Sequence, residues 1–284
     1  SGGAVNSPHI LQVSGIGPSD HLMNIGINVV HHLPGVGANL QDHYVARVSH
    51  RVRHAKSINS LSRGTNLLKE IATWAFSGKG ALTFGVTSAM VFSRSREGLS
   101  SPDLQLLFTP ASYSERTLGK LEQEDGMTVA VCPVRPASRG TIMAVSSDPF
   151  VRPEIRPNYL SDPDDVRVLL AGIHQTREIF SQPALQRYSS KETAPGIQIQ
   201  TSEELENFAR NNGSIIYHPV STCRMGDDEM AVVDPRLRVH GIKGLRVVDA
   251  SIMPTVTTGN TNAPTIMIAE KASDMILEDA RQAS

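Results

Sequence analysis

Leu245-Arg246-Val247-Val248-Asp249-Ala250, close to the end of a 284-residue chain, is a short apolar run closed by an acid. Such a run reads as a buried strand, and an acid at its far end is the habit of α/β nucleotide-binding folds. Beyond it a loop reaches Gly259, and residues 262–278 carry Ile266, Ile268, Ala269, Ala272, Met275 and Ile276 at helical spacing. Strand, loop and helix together predict a piece of an α/β domain at this end. Ahead of them lies Tyr217-His218-Pro219, a histidine on a rigid turn, and at the start of the helix lies Asn262. A base and a hydrogen-bond donor brought together by such a return of the chain are the minimum equipment for taking a proton from an alcohol.

The middle of the chain has a different character. Residues 44–52 alternate apolar and polar, and strand-like runs follow at 86–93, 103–109, 127–134 and 140–146. Strands with no helices between them predict an antiparallel sheet. One helix is expected over 57–77, with Leu61, Leu67, Leu68, Ile71 and Trp74 apolar and Gly78 ending it. Asp162-Pro163-Asp164-Asp165 opens a second, continued by Val166, Leu169, Leu170, Ile173 and Phe180, and Ser202-Glu203-Glu204-Leu205 opens a third. At the other end, Ser7-Pro8 predicts a short helix with Ser7 as cap and Pro8 first in the turn. It stops at Ser14-Gly15-Ile16-Gly17-Pro18, and a second runs from Ser19 to Ile25. The expected class is mixed α+β and α/β: an antiparallel sheet with helices on one face, joined to fragments of an α/β domain.

Composition removes several function classes. With 27 basic against 28 acidic residues the formal net charge is −1, which leaves no footprint for nucleic acid or an anionic membrane. No run approaches the apolar length of a membrane-spanning helix. Cys132 and Cys223 are the only cysteines, too few for a disulfide framework or a multi-cysteine metal site, and a reducing, cytoplasmic setting is expected. His31-His32 has no carboxylate or cysteine at ligand spacing, so no metal is expected there. Gly35-Val36-Gly37-Ala38-Asn39-Leu40 imitates a dinucleotide fingerprint but fails it: Leu40 stands at the third glycine position, and Pro34 abuts the first. A structural turn is expected instead. The opening Ser1-Gly2-Gly3-Ala4-Val5-Asn6 reads as a strand turning into a helix, so further residues are expected to precede Ser1.

Gly3-Ala4-Val5-Asn6-Ser7-Pro8-His9-Ile10-Leu11-Gln12-Val13-Ser14-Gly15-Ile16-Gly17 resembles the second signature of the glucose–methanol–choline (GMC) flavoprotein oxidoreductases. The loop from Leu33 to His43, the stretch from Tyr217 to Gly226, and the stretches from Val233-Asp234-Pro235 to Pro264-Thr265 are similar to parts of the same family. The resemblance implies FAD as cofactor and an N-terminal βαβ unit that this sequence lacks, so that the missing half of such an enzyme becomes a partner. It implies an FAD-domain segment at 1–44, a substrate-binding domain at 45–212 and a closing FAD-domain segment at 213–284.

It also implies roles. A small-molecule alcohol would lose its hydroxyl proton to His218 while the carbinol carbon gives hydride to flavin N5, and Asn262 would hydrogen-bond the substrate oxygen. Tyr217, Asp249, Ala250, Asn262, Ala263, Pro264 and Thr265 would contact the cofactor, the last four from a helix start that favours negative charge. Asp249 is equally readable as an acid capping the next turn, Asn262 as a helix cap, and Asn39 and His43 as cavity lining or plain loop. Alignment on Phe92 and Pro102-Asp103-Leu104 puts Ser88 where choline-oxidising relatives carry a glutamate. Ser88 and Ile216 are therefore assigned to the substrate. Thr87-Ser88-Ala89-Met90-Val91 holds no acid and no aromatic ring, so an uncharged primary alcohol is expected rather than choline. A flavin-containing hydroxynitrile lyase and an inactive fragment unable to hold FAD are the alternatives.

Overall fold

The computed structural model describes residues 1–114 and 119–283, which divide into two compact units. One unit takes Tyr44–Pro133 and Pro163–Ser214; the other takes Ser1–His43, Val134–Asp162 and the chain from Ile215 onward.

The first unit is the antiparallel sheet. Tyr44–Val52 pairs with Gly126–Pro133, placing Ala46 opposite Val131 and Arg51 opposite Gly126. Gly126–Pro133 pairs in turn with Leu104–Thr109, and that strand with Ala89–Ser93. Ser189–Ala194 joins Tyr44–Val52 on its other side, again antiparallel. Gly126–Pro133 and Leu104–Thr109 are buried at nearly every residue, which is why their sequences lack a strict apolar–polar alternation. Helix Pro163–Ser181 covers the sheet, with Asp164 and Asp165 in its first turn where the helix dipole favours them. Gly172 lets it sit down closely. A Cβ there would stand 2.3 Å from Val131 Cγ1.

Two expectations for this unit change. The helix expected over 57–77 is two, Ile58–Leu61 and Gly64–Ser77, parted where Gly64 takes a left-handed φ of 52°. Gly64–Ser77 buries none of its residues, and Leu68, Ile71, Trp74 and Phe76 lie exposed on it. The third helix is Ser202–Asn212, capped one residue earlier than expected by Thr201, whose side chain accepts from Glu204 N while Glu204 accepts from Thr201 N.

In the second unit, the N-terminal helix is Gly3–Val13, and Pro8 lies inside it instead of opening it. A proline there withholds the N–H that would reach the carbonyl of Ala4. The Thr222 hydroxyl donates to that carbonyl instead, at 2.6 Å, so the helix continues through the gap. Gln12 is fully buried on this helix; its Nε2 donates to Ile142 O at 3.0 Å and its Oε1 accepts from Ala144 N at 2.6 Å. Those bonds explain why 134–162 groups with the chain's two ends, whereas the sequence reading ran one middle domain from 45 to 212. The run expected at 140–146 forms the short strand Thr141–Met143, which pairs with Glu154–Arg156. The glycine-rich stretch is the structural turn expected: Val36 is fully buried, and Gly37, at φ 84°, leaves no room for a Cβ, which would lie 2.2 Å from Ile142 O.

The core of this unit gathers Val36, Val220, Cys223, Val232, Val233, Val247, Ile252, Ile268 and Ala272. Each large aliphatic side chain buried this way contributes about 1.5–3 kcal/mol. Leu245-Arg246-Val247-Val248-Asp249-Ala250 does not form a strand. A strand needs a paired neighbour, and among the described residues this run bridges only Arg238, at Arg246. The closing helix is Asn262–Ala283, held by buried Ile268 and Ala272 and by Asp279, which pairs with both Arg236 and Arg246. Among the described residues no helix is long and apolar enough to cross a membrane, and no group of histidine, cysteine and carboxylate residues could hold a metal.

Candidate active site

The segment carrying His218 runs antiparallel beside the loop that ends at His43. Gln41 and Val220 exchange backbone hydrogen bonds at 3.2 and 2.9 Å, and Ile216 N–H donates to His43 O at 3.4 Å. One carboxylate fastens the two histidines. Asp42 Oδ1 accepts from His43 N and from His218 N, both at 2.8 Å, and Tyr159 Oη donates to Asp42 Oδ2 at 2.9 Å. Burial pushes the Asp42 carboxyl up, and its three donors pull against that. Between the pinned amides of Ile216 and His218, Tyr217 takes a left-handed φ of 61° and presents its ring to solvent, 66% exposed. A non-glycine residue keeps that conformation only where its surroundings over-determine it.

His218 itself is 7% exposed. Its Nδ1 lies 2.8 Å from Nδ1 of the fully buried His43, the rings standing edge to face at 80°. On its far side, His43 Nε2 meets Val134 O at 3.4 Å. Among the described residues nothing bonds to His218 Nε2. Burial lowers the His218 pKa below the ordinary value, with the Asp42 charge opposing it. Burial first, and the neighbouring His218 second, drive His43 down to about 4.

The other expected residues fall into three groups. Asn262 is the first residue of its helix, exposed, and its amide makes no hydrogen bond with the described residues; the cap position belongs to Thr261, whose carbonyl accepts both N–H and Oγ1 of Thr265. Ala263 is exposed and Pro264 half-buried beside it. Asp249 is fully engaged inside the chain: Oδ1 accepts from Ser251 N, and Oδ2 from Ser7 Oγ and Gly3 N. It caps the short 3-10 turn Ala250–Ile252. No hydrogen bond joins His218 to Asn262. Ile216 is half-buried beside the histidine, and Ser88 is exposed in the antiparallel unit, its N–H donating to Phe108 O at 2.9 Å.

Of the two loop residues, Asn39 takes a φ of 60° and donates to Pro254 O at 3.4 Å, a bond that holds the loop. His240 places Nε2 3.0 Å from Gly226 O. Cys223 is fully buried, with its thiol pKa pushed far up by burial, which suits packing and not nucleophilic attack. Asp42 and Tyr159 escaped the sequence reading. Asp42 directly precedes a histidine in a loop, a usable hint; Tyr159 carried no signal, because it reaches the site from a separate segment.

Two family models described as GMC oxidoreductase match the chain, one over residues 1–45 and one over residues 136–269. The chain is 44% identical over 274 residues to an oxygen-dependent choline dehydrogenase of Pectobacterium carotovorum subsp. carotovorum, covering 96% of this chain and 49% of the relative. It is 45% identical over 275 residues to one of Pseudomonas savastanoi pv. phaseolicola, covering 97% and 48%. It therefore spans about half the length of these relatives. Among solved structures, a formate oxidase of Aspergillus oryzae RIB40, studied for FAD modification, matches with a TM-score of 0.91 at 25% identity, covering 99% of this chain and 54% of that one. A pyridoxine 4-oxidase of Mesorbium loti matches with a TM-score of 0.80 at 28% identity, covering 96% and 49%. The chain belongs to the GMC oxidoreductase family.

Proposed function

We propose that this chain carries the proton-handling part of an FAD-dependent oxidoreductase acting on a primary alcohol. His218 is the base and Asn262 the donor to the alcohol oxygen. The observation that carries this reading is the state of the His218 ring: its Nδ1 and its backbone N–H are both anchored, while Nε2 has no partner among the described residues. A base held this way keeps its orientation and offers one nitrogen. The O–H bond of the alcohol breaks toward Nε2, and the amide of Asn262 stabilises the oxygen as negative charge builds on it.

The residues present fit FAD at one end. The start of helix Asn262–Ala283 is exposed and has no acid in its first turn, so its open N–H groups and dipole suit an electron-rich ring edge. Asn262, Ala263, Pro264 and Thr265 would hold that edge, with Tyr217 beside His218 and the Ala250 backbone as further contacts. When bound, FAD supplies the acceptor for the hydrogen that leaves the carbinol carbon. No Gly-x-Gly-x-x-Gly turn follows a strand in this sequence, and the phosphate end of the cofactor is assigned to the half that the chain does not span.

An uncharged primary alcohol suits the segment around Ser88, which lacks an acid or aromatic ring for a quaternary ammonium. The names of the 44–45% identical relatives favour choline as the second reading. Anaerobic mixing of the flavin-loaded protein with primary alcohols, choline and a cyanohydrin separates these. Flavin bleaching by an uncharged alcohol is expected. Bleaching by choline alone would replace the substrate class, and cyanohydrin cleavage without any bleaching would replace the reaction.

A further inference from the structure

We propose that His43 is a positioning residue that fixes the tautomer of His218, leaving Nε2 as the bare nitrogen. This rests on the reading of His218 as a base and explains how the protein keeps it one. Two imidazole Nδ1 atoms at 2.8 Å can share one proton only: one ring donates and the other accepts. Which way the bond runs is decided on the far side of His43. There Nε2 faces the carbonyl of Val134, which can only accept. A bare Nε2 in that place would set two lone pairs against each other in a fully buried site, so Nε2 carries the hydrogen. Neutral His43 then has a bare Nδ1, and the shared proton belongs to His218 Nδ1. His218 Nε2 is left without a hydrogen.

The reverse arrangement would put the hydrogen on His218 Nε2 and abolish its use as a base. The two residues cannot drift apart easily, because Asp42 Oδ1 accepts the backbone N–H of both. When Nε2 takes a proton, the His218 imidazolium keeps donating from Nδ1 to His43, and that bond becomes charge-assisted. The depressed pKa of His43 keeps it neutral and accepting throughout.

Long-range 1H–15N NMR of the flavin-loaded protein labelled at histidine tests this without turnover. The ring of His218, assigned by its loss in His218→Gln, is expected to show the Nδ1–H pattern at a pH where it is neutral. In His43→Leu it is expected to move to the Nε2–H pattern, with kcat falling about 10- to 100-fold and KM within about twofold. In His43→Asn, whose Oδ1 lies where Nδ1 lies, the Nδ1–H pattern is expected to persist. An Nε2–H pattern in the unsubstituted protein, which needs no variant to fold, overturns the proposal. So does an Nδ1–H pattern surviving His43→Leu. Failure of the base reading looks different: His218→Gln would then keep turnover while the tautomer stays as stated.

Discussion

The bend at His218 and the helix start at Asn262 handle polar groups in opposite ways. At the bend, His218 is 7% exposed, and its amide and Nδ1 are both bonded by residues of one loop. At the helix start, Asn262 is exposed and its side chain bonds to nothing described. The difference suits the two tasks proposed for them. A base gains from restriction, because a ring free to flip or change tautomer spends part of its time offering a hydrogen where a lone pair is needed. A donor to developing charge has to stay uncommitted until the substrate oxygen arrives.

The hardest strike at this contrast removes the restricted side. His218→Ala is expected to lower kcat/KM about 10²- to 10⁴-fold, measured by stopped-flow bleaching of the flavin. A loss below about tenfold would mean that another group takes the proton. Asp42→Ala comes next and acts through structure. It strips the carboxylate acceptor from two backbone donors in a buried site and from Tyr159 Oη, for an expected loss of about 2–4 kcal/mol by denaturant titration. An unchanged midpoint would show that the carboxylate is not the clasp.

His43 adds a pH dependence of known sign. Its folded pKa of about 4 lies below the ordinary 6.5. An unfolded chain therefore binds a proton here sooner than the folded one. The contribution is complete above pH 6.5 and is lost as pH falls from there to about 4, at most roughly 3 kcal/mol. His218, lowered too, steepens the same window, while Asp42, raised by burial, binds its own proton more readily in the folded chain and offsets part of the loss at the acid end. Chemical denaturation at pH 7 and 4.5 is expected to show the loss, and His43→Asn to shrink it.

The contrast also marks what sequence could reveal. Three strands of the antiparallel sheet were legible because Ala89–Ser93, Leu104–Thr109 and Gly126–Pro133 are consecutive and each pairs with the next, whereas the partners of Tyr44–Val52 lie far along the chain. His218 and Asn262 stood out as candidates because each sits in a long family motif. Leu245-Arg246-Val247-Val248-Asp249-Ala250 read as a strand by composition, yet a ladder needs a partner and among the described residues this run has only the bridge to Arg238. Pro8 read as a helix start because the rescue of its orphaned carbonyl lies with Thr222, far along the chain. The clasp at Asp42 was hidden for the same reason. Its donors come from His43, Tyr159 and His218, and only the fold brings them together.

The smallest expected effect falls on the unrestricted side and is the most discriminating. Asn262→Ala is expected to lower kcat about 10- to 100-fold while leaving stability within about 0.5 kcal/mol, because the amide bonds to nothing among the described residues. A stability loss near 1 kcal/mol would restore the plain helix-cap reading. Asn262→Asp sharpens the point. An acid in the first turn of a helix with none is expected to stabilise it by about 0.3–1 kcal/mol. The same carboxylate can only accept, and it repels an oxygen that is gaining negative charge, so kcat should fall at least as far as in Asn262→Ala. Stability and rate moving in opposite directions in one variant would show that the open amide at this helix start serves the reaction and not the fold.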